Sequence, residues 1–309
     1  MSSKLIKRIS AVALGAAMIV SAAACGTNNA GSGDSSSSSS SNKGYDVSSI
    51  KKDDAIAALL PESVSKDGKL TVGSDTSYAP AEFLDEDGKT PIGFDVDLTK
   101  ALAAVFGLKA VTVSSTFDSI IPSVGSKYDI GISSFTVTKE RLAAVDFVTY
   151  FNAGSTFVVQ KGNPKKIDTS DLCGHKLAVQ TGTTQESAAQ TLDKQCSADG
   201  KKPIQIQSLK MQTDVTTAVA SGKADAFYAD TPVAGYAIKQ TGDTLQALGK
   251  DVDIAPEGIV VKKGDAATVQ AVQKAMQKLM DDGTYKKILS TWGVSSGAID
   301  KAEVNPSVE

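Results

Sequence analysis

IIPSVGSKYDIGISS (residues 120–134) and TTAVASGKADAFYAD (residues 216–230) align without a gap. Each reads as a helix end, a glycine-bearing turn, a Lys-x-Asp, an apolar strand and then polar groups. Lys127 falls on Lys223, Asp129 on Asp225 and Ser134 on Asp230. Gly125 and Gly222 sit one place apart, where a helix terminator is expected. Any two helix–turn–strand units obey the same local rules, yet both of these set a polar residue at a strand's carboxyl end. The echo leads us to expect two similar lobes that face each other and supply opposite sides of one site.

Outward from that pair, short β-rich runs alternate with helical stretches. Strands are expected at Lys69–Gly73, Ala110–Val113, Asp129–Ser133, Thr156–Gln160, Lys176–Gln180, Ile204–Ser208, Ala224–Tyr228 and Gly258–Val261. Helices are expected at about 95–106, 117–124, 138–144, 185–195, 212–221, 232–240, 266–281 and 284–290. This alternation implies an α/β fold with largely parallel central strands. In such sheets ligands lie beyond the strands' carboxyl ends. About 240 residues from Lys69 onward suffice for two medium lobes.

The amino-terminal end speaks to the compartment. Lys4, Lys7 and Arg8 precede an apolar stretch from about Ile9 to Val20, and small residues lead to Cys25. Residues 1–24 therefore read as a secretory signal peptide, too short to span a membrane. Ser21-Ala22-Ala23-Ala24-Cys25 resembles a lipobox, with Ala22 where Leu is usual, so Cys25 is expected to be the lipidated anchor of a palmitate-bearing lipoprotein. Conventional cleavage at an A-x-A site is the alternative. Residues 25–66 then hold that cysteine and a flexible tether that includes SSSSSSS at 35–41. Within them, 45–66 is weakly helical and is expected to cap the folded body.

The chain carries a formal charge of −3; loss of Lys4, Lys7 and Arg8 with the signal leaves −6. Basic residues form no stripe, so no nucleic-acid partner is expected. With Cys25 lipidated, Cys173 and Cys196 remain as a pair suited to a disulfide outside the cytoplasm. Those two with His175 match no zinc spacing, so no metal and no cofactor are expected.

Strand ends supply the candidate ligand groups. SSFTVTKER (133–141) follows an apolar run and offers hydroxyls and then Arg141, whose planar fork matches a carboxylate. Surface pairing with Glu140 or Asp146 is the plainer reading of Arg141. QTGTTQE (180–186) ends a strand in Gly182 and opens a helix with a capping box at Thr183 to Glu186, exposing backbone N–H groups to an anion. Asp230 precedes Thr231-Pro232, a helix start with proline at its first turn, and either caps that helix or binds an ammonium group. An arginine with exposed amides and a separate aspartate meet the needs of an α-amino acid zwitterion. Tyr78 and Phe117 are placed to cover its aliphatic part.

Taken together, these stretches resemble the extracytoplasmic solute-binding proteins, family 3, which deliver amino acids to ABC transporters. GFDVDLTKALA (93–103) is close to the family signature, flanked by LTVGSDTSYAPAEF (70–83), FDSIIPSV (117–124), DIGISSFTVTKERLAAVDF (129–147), GTTQE (182–186), SGKADAFYAD (221–230) and DDGTYKKILSTWG (281–293). The resemblance runs in order from about Lys69 to Gly297. It implies a two-lobed periplasmic-binding-protein fold, each lobe a mostly parallel sheet flanked by helices, joined by two hinge strands near Thr156–Lys161 and Ala255–Val260. Lobe 1 would be 67–157 plus 259–309, and lobe 2 would be 158–258.

Position by position, Arg141 and the amides of Thr136 and Thr184 are implied to hold the ligand carboxylate. Asp230, the Thr136 hydroxyl and the Ser134 carbonyl would hold its ammonium, and Tyr78 and Phe117 would sandwich it. Asp75 and Gln180 lie where side chains are read, and Phe135 and Thr183 complete the expected contacts. GFDVDL and Trp292 are implied to pack the first lobe, and Ala81 replaces a usual aromatic. The implied partners are an amino acid, the transmembrane permease subunits of an ABC transporter, and the membrane through the lipid; the protein is expected to be a monomer and not an enzyme. An amino-acid-sensing co-receptor, or a dehydratase-like enzyme on the same fold, are the rival readings.

Overall fold

In the computed structural model residues 44–308 are described; the expected signal, Cys25 and the Ser-rich run lie outside the described residues. The strands are β1 Lys69–Ser74, β2 Ser77–Tyr78, β3 Glu82–Leu84, β4 Pro91–Ile92, β5 Lys109–Ser114, β6 Ile130–Thr136, β7 Val145–Gln160, β8 Lys176–Gln180, β9 Gln205–Leu209, β10 Ala226–Asp230 and β11 Leu245–Lys262. Eight of them form one sheet in the order β5-β1-β6-β11-β7-β10-β8-β9, and β2, β3 and β4 form a small second sheet. β5, β1 and β6 are parallel to one another, as are β10, β8 and β9. Between these groups the antiparallel pair β7 and β11 runs through both halves.

Strand direction explains where the site falls. β6 pairs antiparallel with β11, with Thr136 opposite Glu257. β10 pairs antiparallel with β7, with Asp230 opposite Ser155. Since β7 and β11 are antiparallel, β6 runs along β7 while β10 runs against it. The carboxyl ends of the two parallel groups therefore point at each other near the middle of the long pair. This is the two-lobed α/β arrangement that the sequence led us to expect.

The exchange of partners falls between Asn152 and Ser155 on β7 and between Val252 and Glu257 on β11. Thr156–Gln160 thus pairs inside the second half's sheet, and the first crossing lies a few residues earlier than Thr156–Lys161. Both long strands exceed the short runs expected at Thr156–Gln160 and Gly258–Val261. Gly154 and the Gly249–Pro256 stretch break the apolar pattern there, and ladder shifts at Leu248/Val252, Val252/Ala255 and Glu257/Gly258 mark the same region. The helix expected at 117–124 divides into Phe117–Ile120 and a 3-10 turn Ile121–Ser123, because Pro122 removes a backbone donor.

The repeated Lys-x-Asp has one structural meaning in both halves. Asp129 takes the N–H of Thr71 on its carboxylate at 2.7 Å and donates its own N–H to the Thr71 carbonyl at 2.9 Å. Asp225 does the same with Lys176, at 2.9 Å and 2.9 Å. Each aspartate pins the start of its strand to the neighbouring parallel strand. The second half also carries the Cys173–Cys196 disulfide, which ties the segment before β8 to the last turns of the helix Thr184–Ala198.

The GFDVDL segment opens the helix Phe94–Phe106, nearly all of which is buried. Gly93 precedes it at φ 132°, and a Cβ there would come within 2.1 Å of the Ala81 carbonyl oxygen, so only glycine fits. Asp97 accepts from the backbone of Tyr45 at 2.7 Å and from the indole of Trp292 at 2.8 Å. Residues 45–66 are packed on the core through Leu60 and Val64, with helical turns at Asp54–Ala57 and Glu62–Ser65. Among the described residues no helix is long and apolar enough to cross a membrane.

Candidate functional site

Eight of the eleven predicted residues converge where the two sets of strand ends meet. Arg141 lies in the short helix Lys139–Ala144, capped by Thr138, which turns the guanidinium back over the end of β6. One guanidinium nitrogen donates to the Thr136 carbonyl at 2.8 Å, and the other crosses to the Gly182 carbonyl of the second half at 3.0 Å. The cation lies 5.3 Å from the Phe117 ring and 5.8 Å from that of Phe135. Burial works against its charge, and Asp230 across the cleft works for it.

Asp230 is buried at the end of β10. Its carboxylate accepts from the Tyr78 hydroxyl at 2.7 Å and from the Gln185 side chain at 2.7 Å. Burial pushes the carboxyl above its ordinary value, opposed by Tyr78, Gln185 and Arg141. The Tyr78 hydroxyl, raised well above the usual range by burial and by Asp230, thus links the halves.

Ser134 has φ 47°, a left-handed conformation uncommon for a serine. Its N–H donates to Asp95 at 3.1 Å and to the Tyr150 hydroxyl at 3.2 Å, which hold that backbone in place. The family-like GFDVDL motif thus acts through Asp95 on the shape of the cleft. Behind it Glu82, which accepts from Ser133, is held well above its ordinary value by burial and by Asp95, while burial lifts Asp95 to about 6.

On the second half, Thr183 caps the helix Thr184–Ala198 by accepting from the Glu186 N–H at 3.1 Å. The Glu186 carboxylate takes the Gly182 N–H at 2.6 Å, so with that amide and the Glu186 N–H occupied, the N–H groups of Thr184 and Gln185 are the first-turn donors left for an anion. Gly182 has φ 83°, and a Cβ there would lie 2.8 Å from Asp118 of the other half, so the close approach also requires glycine. Tyr78, Phe117, Ser134, Thr136, Arg141, Thr183, Thr184, Gln185 and Asp230 line one small cavity of about 10 Å³. A second cavity of about 480 Å³ shares Thr136, Thr184, Gln185 and Asp230 and extends toward Asp253–Pro256 and Ser307–Val308.

Three predicted residues stand apart from the small cavity. Asp75 is buried and already accepts four bonds, from the N–H and hydroxyl of Ser77, from the Phe117 N–H at 2.9 Å and from Gln180 at 2.8 Å. Gln180 spends its amide on Asp75 and on the Lys210 carbonyl. Phe135 is fully buried behind Phe117, with ring centroids 4.8 Å apart. The halves meet further through Ser77 with the Gln212 N–H at 3.0 Å, through Lys210 with Asp118, and through Phe83 with Tyr236. This is a closed form.

The family description "Bacterial extracellular solute-binding proteins, family 3" matches residues 70–295, most of the chain. The chain belongs to this family. Among relatives of this family 3 protein, the arginine-binding protein ArgT of Corynebacterium glutamicum is 35% identical over 252 residues, covering 81% of this chain and 82% of the relative. The L-cystine-binding protein TcyJ of Escherichia coli K12 is 31% identical over 240 residues, covering 75% and 85%. Among solved structures, an ancestral arginine-binding protein bound to arginine is 36% identical with a TM-score of 0.67, covering 73% of this chain and 98% of that one. An ancestral amino acid-binding protein described as a precursor of cyclohexadienyl dehydratase is equally similar, at 36% and 0.67, covering 76% and 99%.

One residue of the small cavity in this family 3 protein, Gln185, has no signal in the sequence reading, since it looks like a routine second residue of a helix. Glu257, buried on β11 opposite Thr136, looks like a polar interruption in an apolar strand. A chemical motif points the other way: GVSSG at 293–297 spells G-x-S-x-G, but it follows the helix Thr284–Thr291 and forms a 3-10 turn at Ser295–Gly297. It is not the strand-to-helix elbow on which a nucleophilic serine is presented.

Proposed function

We propose that this protein is the extracytoplasmic substrate-binding component of an ABC importer. It binds an α-amino acid with a polar side chain between its lobes and delivers it to the membrane permease, without catalysis. The observation that carries this reading is the opposition of Arg141 and Asp230, brought from separate halves to one cavity with Tyr78 and Phe117 between them. Arg141 takes the ligand carboxylate together with the first-turn amides around Thr184; Asp230 takes the ammonium with Thr136 and the Ser134 carbonyl.

In this reading residues of about 44–152 and 257–308 form the first lobe, and about 155–252 the second. The bonds Tyr78–Asp230 and Arg141–Gly182 join the lobes, and a ligand adds stronger charge-assisted contacts of its own. It favours the closed form only by its differential affinity for that form. The names of relatives support a basic or otherwise polar ligand, since they bind arginine, cystine and histidine. We also assign Cys25 as the lipid anchor of a monomeric receptor, which fatty-acid labelling, abolished by Cys25→Ser, would test.

A melting screen with the twenty amino acids tests the central reading, beginning with L-arginine. A ligand at a hundredfold its dissociation constant stabilises by about 2.7 kcal/mol. Recovery of the amino acid unchanged after incubation separates a receptor from a dehydratase. A protein that no amino acid stabilises would not be this receptor.

A further inference from the structure

Glu257 is the least satisfied charged group near the site. It is 1% exposed, and among the described residues neither of its carboxylate oxygens has a hydrogen-bond partner. It lies on β11 at the crossing between the halves, opposite Thr136 of β6 and opposite Phe151 of β7. Native proteins seldom leave a buried carboxylate without donors, because an ionised one in such a place costs several kcal/mol. The neutral carboxyl is the species compatible with these surroundings.

The groups that face Glu257 come from every element around it. Asp230 on β10 and Asp95 on the helix Phe94–Phe106 oppose its charge, whereas the nearby Ser134 hydroxyl on β6, which does not reach hydrogen-bond geometry, and Arg141 favour it. Tyr78 and Tyr150 also sense it, and both are neutral phenols held well above their usual range. Glu82 lies beyond Asp95. Apart from burial, the largest influence on Glu257 is Asp230, the group assigned above to the ligand's ammonium.

Resting on that assignment, we propose that Glu257 is a further residue of ammonium recognition, protonated in the empty cleft and ionised when an amino acid's ammonium group settles at Asp230. The ammonium cancels the repulsion between the two carboxylates and adds a favourable charge beside both. The ligand carboxylate at Arg141 partly cancels the one cation that favours an ionised Glu257, but that cation is the weaker influence. The O–H bond of the Glu257 carboxyl breaks and its proton leaves to solvent, so binding releases up to one proton. Glu257 thereby selects for ligands that bring a cation, and affinity falls by up to about tenfold for each pH unit of acidification.

The test is calorimetric binding in phosphate and in Tris, whose ionisation heats differ, at pH 6, 7 and 8. L-Arginine is the probe, or the amino acid with the largest melting shift if arginine gives none. The expected result is net proton release by the natural protein, its loss in Glu257→Gln, and its persistence in Glu82→Gln. If amino acid binds and Arg141→Ala abolishes binding, but no proton is released at any of the three pH values, this inference is overturned and the receptor reading stands. Equal release from Glu257→Gln overturns it likewise. Should Glu257→Gln fail to fold, the count on the natural protein and on Glu82→Gln still decides: zero release overturns the inference, and so does loss of release in Glu82→Gln. If no amino acid binds, both readings fall.

Discussion

Replacing Arg141 with alanine removes the charge on which the proposed ligand grip depends. The guanidinium has two bonds to carbonyl oxygens, at 2.8 and 3.0 Å, and lies near the faces of Phe117 and Phe135. Those contacts are partly offset by the desolvation of the cation, so the net loss of fold stability is about 1 kcal/mol, a fall of roughly 2–4 °C in Tm. Ligand binding loses far more, because the amino acid's carboxylate is then buried without its counter-charge. Breaking such a pair costs about 3–5 kcal/mol, equivalent to a hundredfold to several-thousandfold in Kd. A micromolar receptor becomes one of sub-millimolar affinity or worse. Arg141→Lys keeps the charge but not the planar fork and should fall between the two. Melting curves with and without 1 mM amino acid (about a thousandfold excess over a micromolar Kd), followed by calorimetry, make the comparison. An undiminished ligand-induced shift in Arg141→Ala would refute the carboxylate assignment.

Gln185→Leu should weaken binding by about tenfold with little change in helix content, because Asp230 loses one of the donors that orient it; calorimetry reads this, and unchanged affinity would make Gln185 a bystander. Cys173→Ser with Cys196→Ser should lower stability by about 3 kcal/mol on the chain-entropy model while leaving Kd nearly unchanged, because Cys196 is about 18 Å along its helix from Thr184; a large loss of affinity in the folded double variant would contradict this. Stability should also depend on pH in an unusual sense. Asp95 is held at about 6 against an ordinary 3.8, so the unfolded chain loses that proton first, and the contribution is present below about pH 4 and lost as pH rises toward 6. Unliganded protein should therefore melt a few degrees lower at pH 7 than at pH 5. Asp95→Asn, which removes the titrating carboxyl, should flatten that slope, and an unchanged slope would exclude Asp95 as its source.

Much of the first lobe's contribution was legible along the chain. SSFTVTKER announces its polar groups because a buried strand ends and a helix begins within nine residues, and the structure puts Ser134, Thr136 and Arg141 on one cavity. Thr183, Thr184 and Asp230 were equally visible at strand ends of the second lobe. Asp75 and Gln180 lie at the ends of β1 and β8. They bond to each other, which no local pattern reveals because they are 105 residues apart. The lengths of β7 and β11 were missed because Asn152 and Gly154 interrupt the apolar run of the first, and an exposed, bulged stretch from Gly249 to Ile254 interrupts that of the second.

The sequence alone determined the α/β alternation, the two matching helix–turn–strand units and the delivery of polar groups to strand ends. These follow from periodicities of two and 3.6 residues and from glycine and proline chemistry, which act over a few positions. Only the tertiary structure decided that Tyr78 would bond to Asp230, that Asp95 would fix Ser134, and that Glu257 would be buried between the lobes without a donor. Those outcomes depend on the register of two long strands and on the closure of one half against the other, and neither is written in any short stretch of chain.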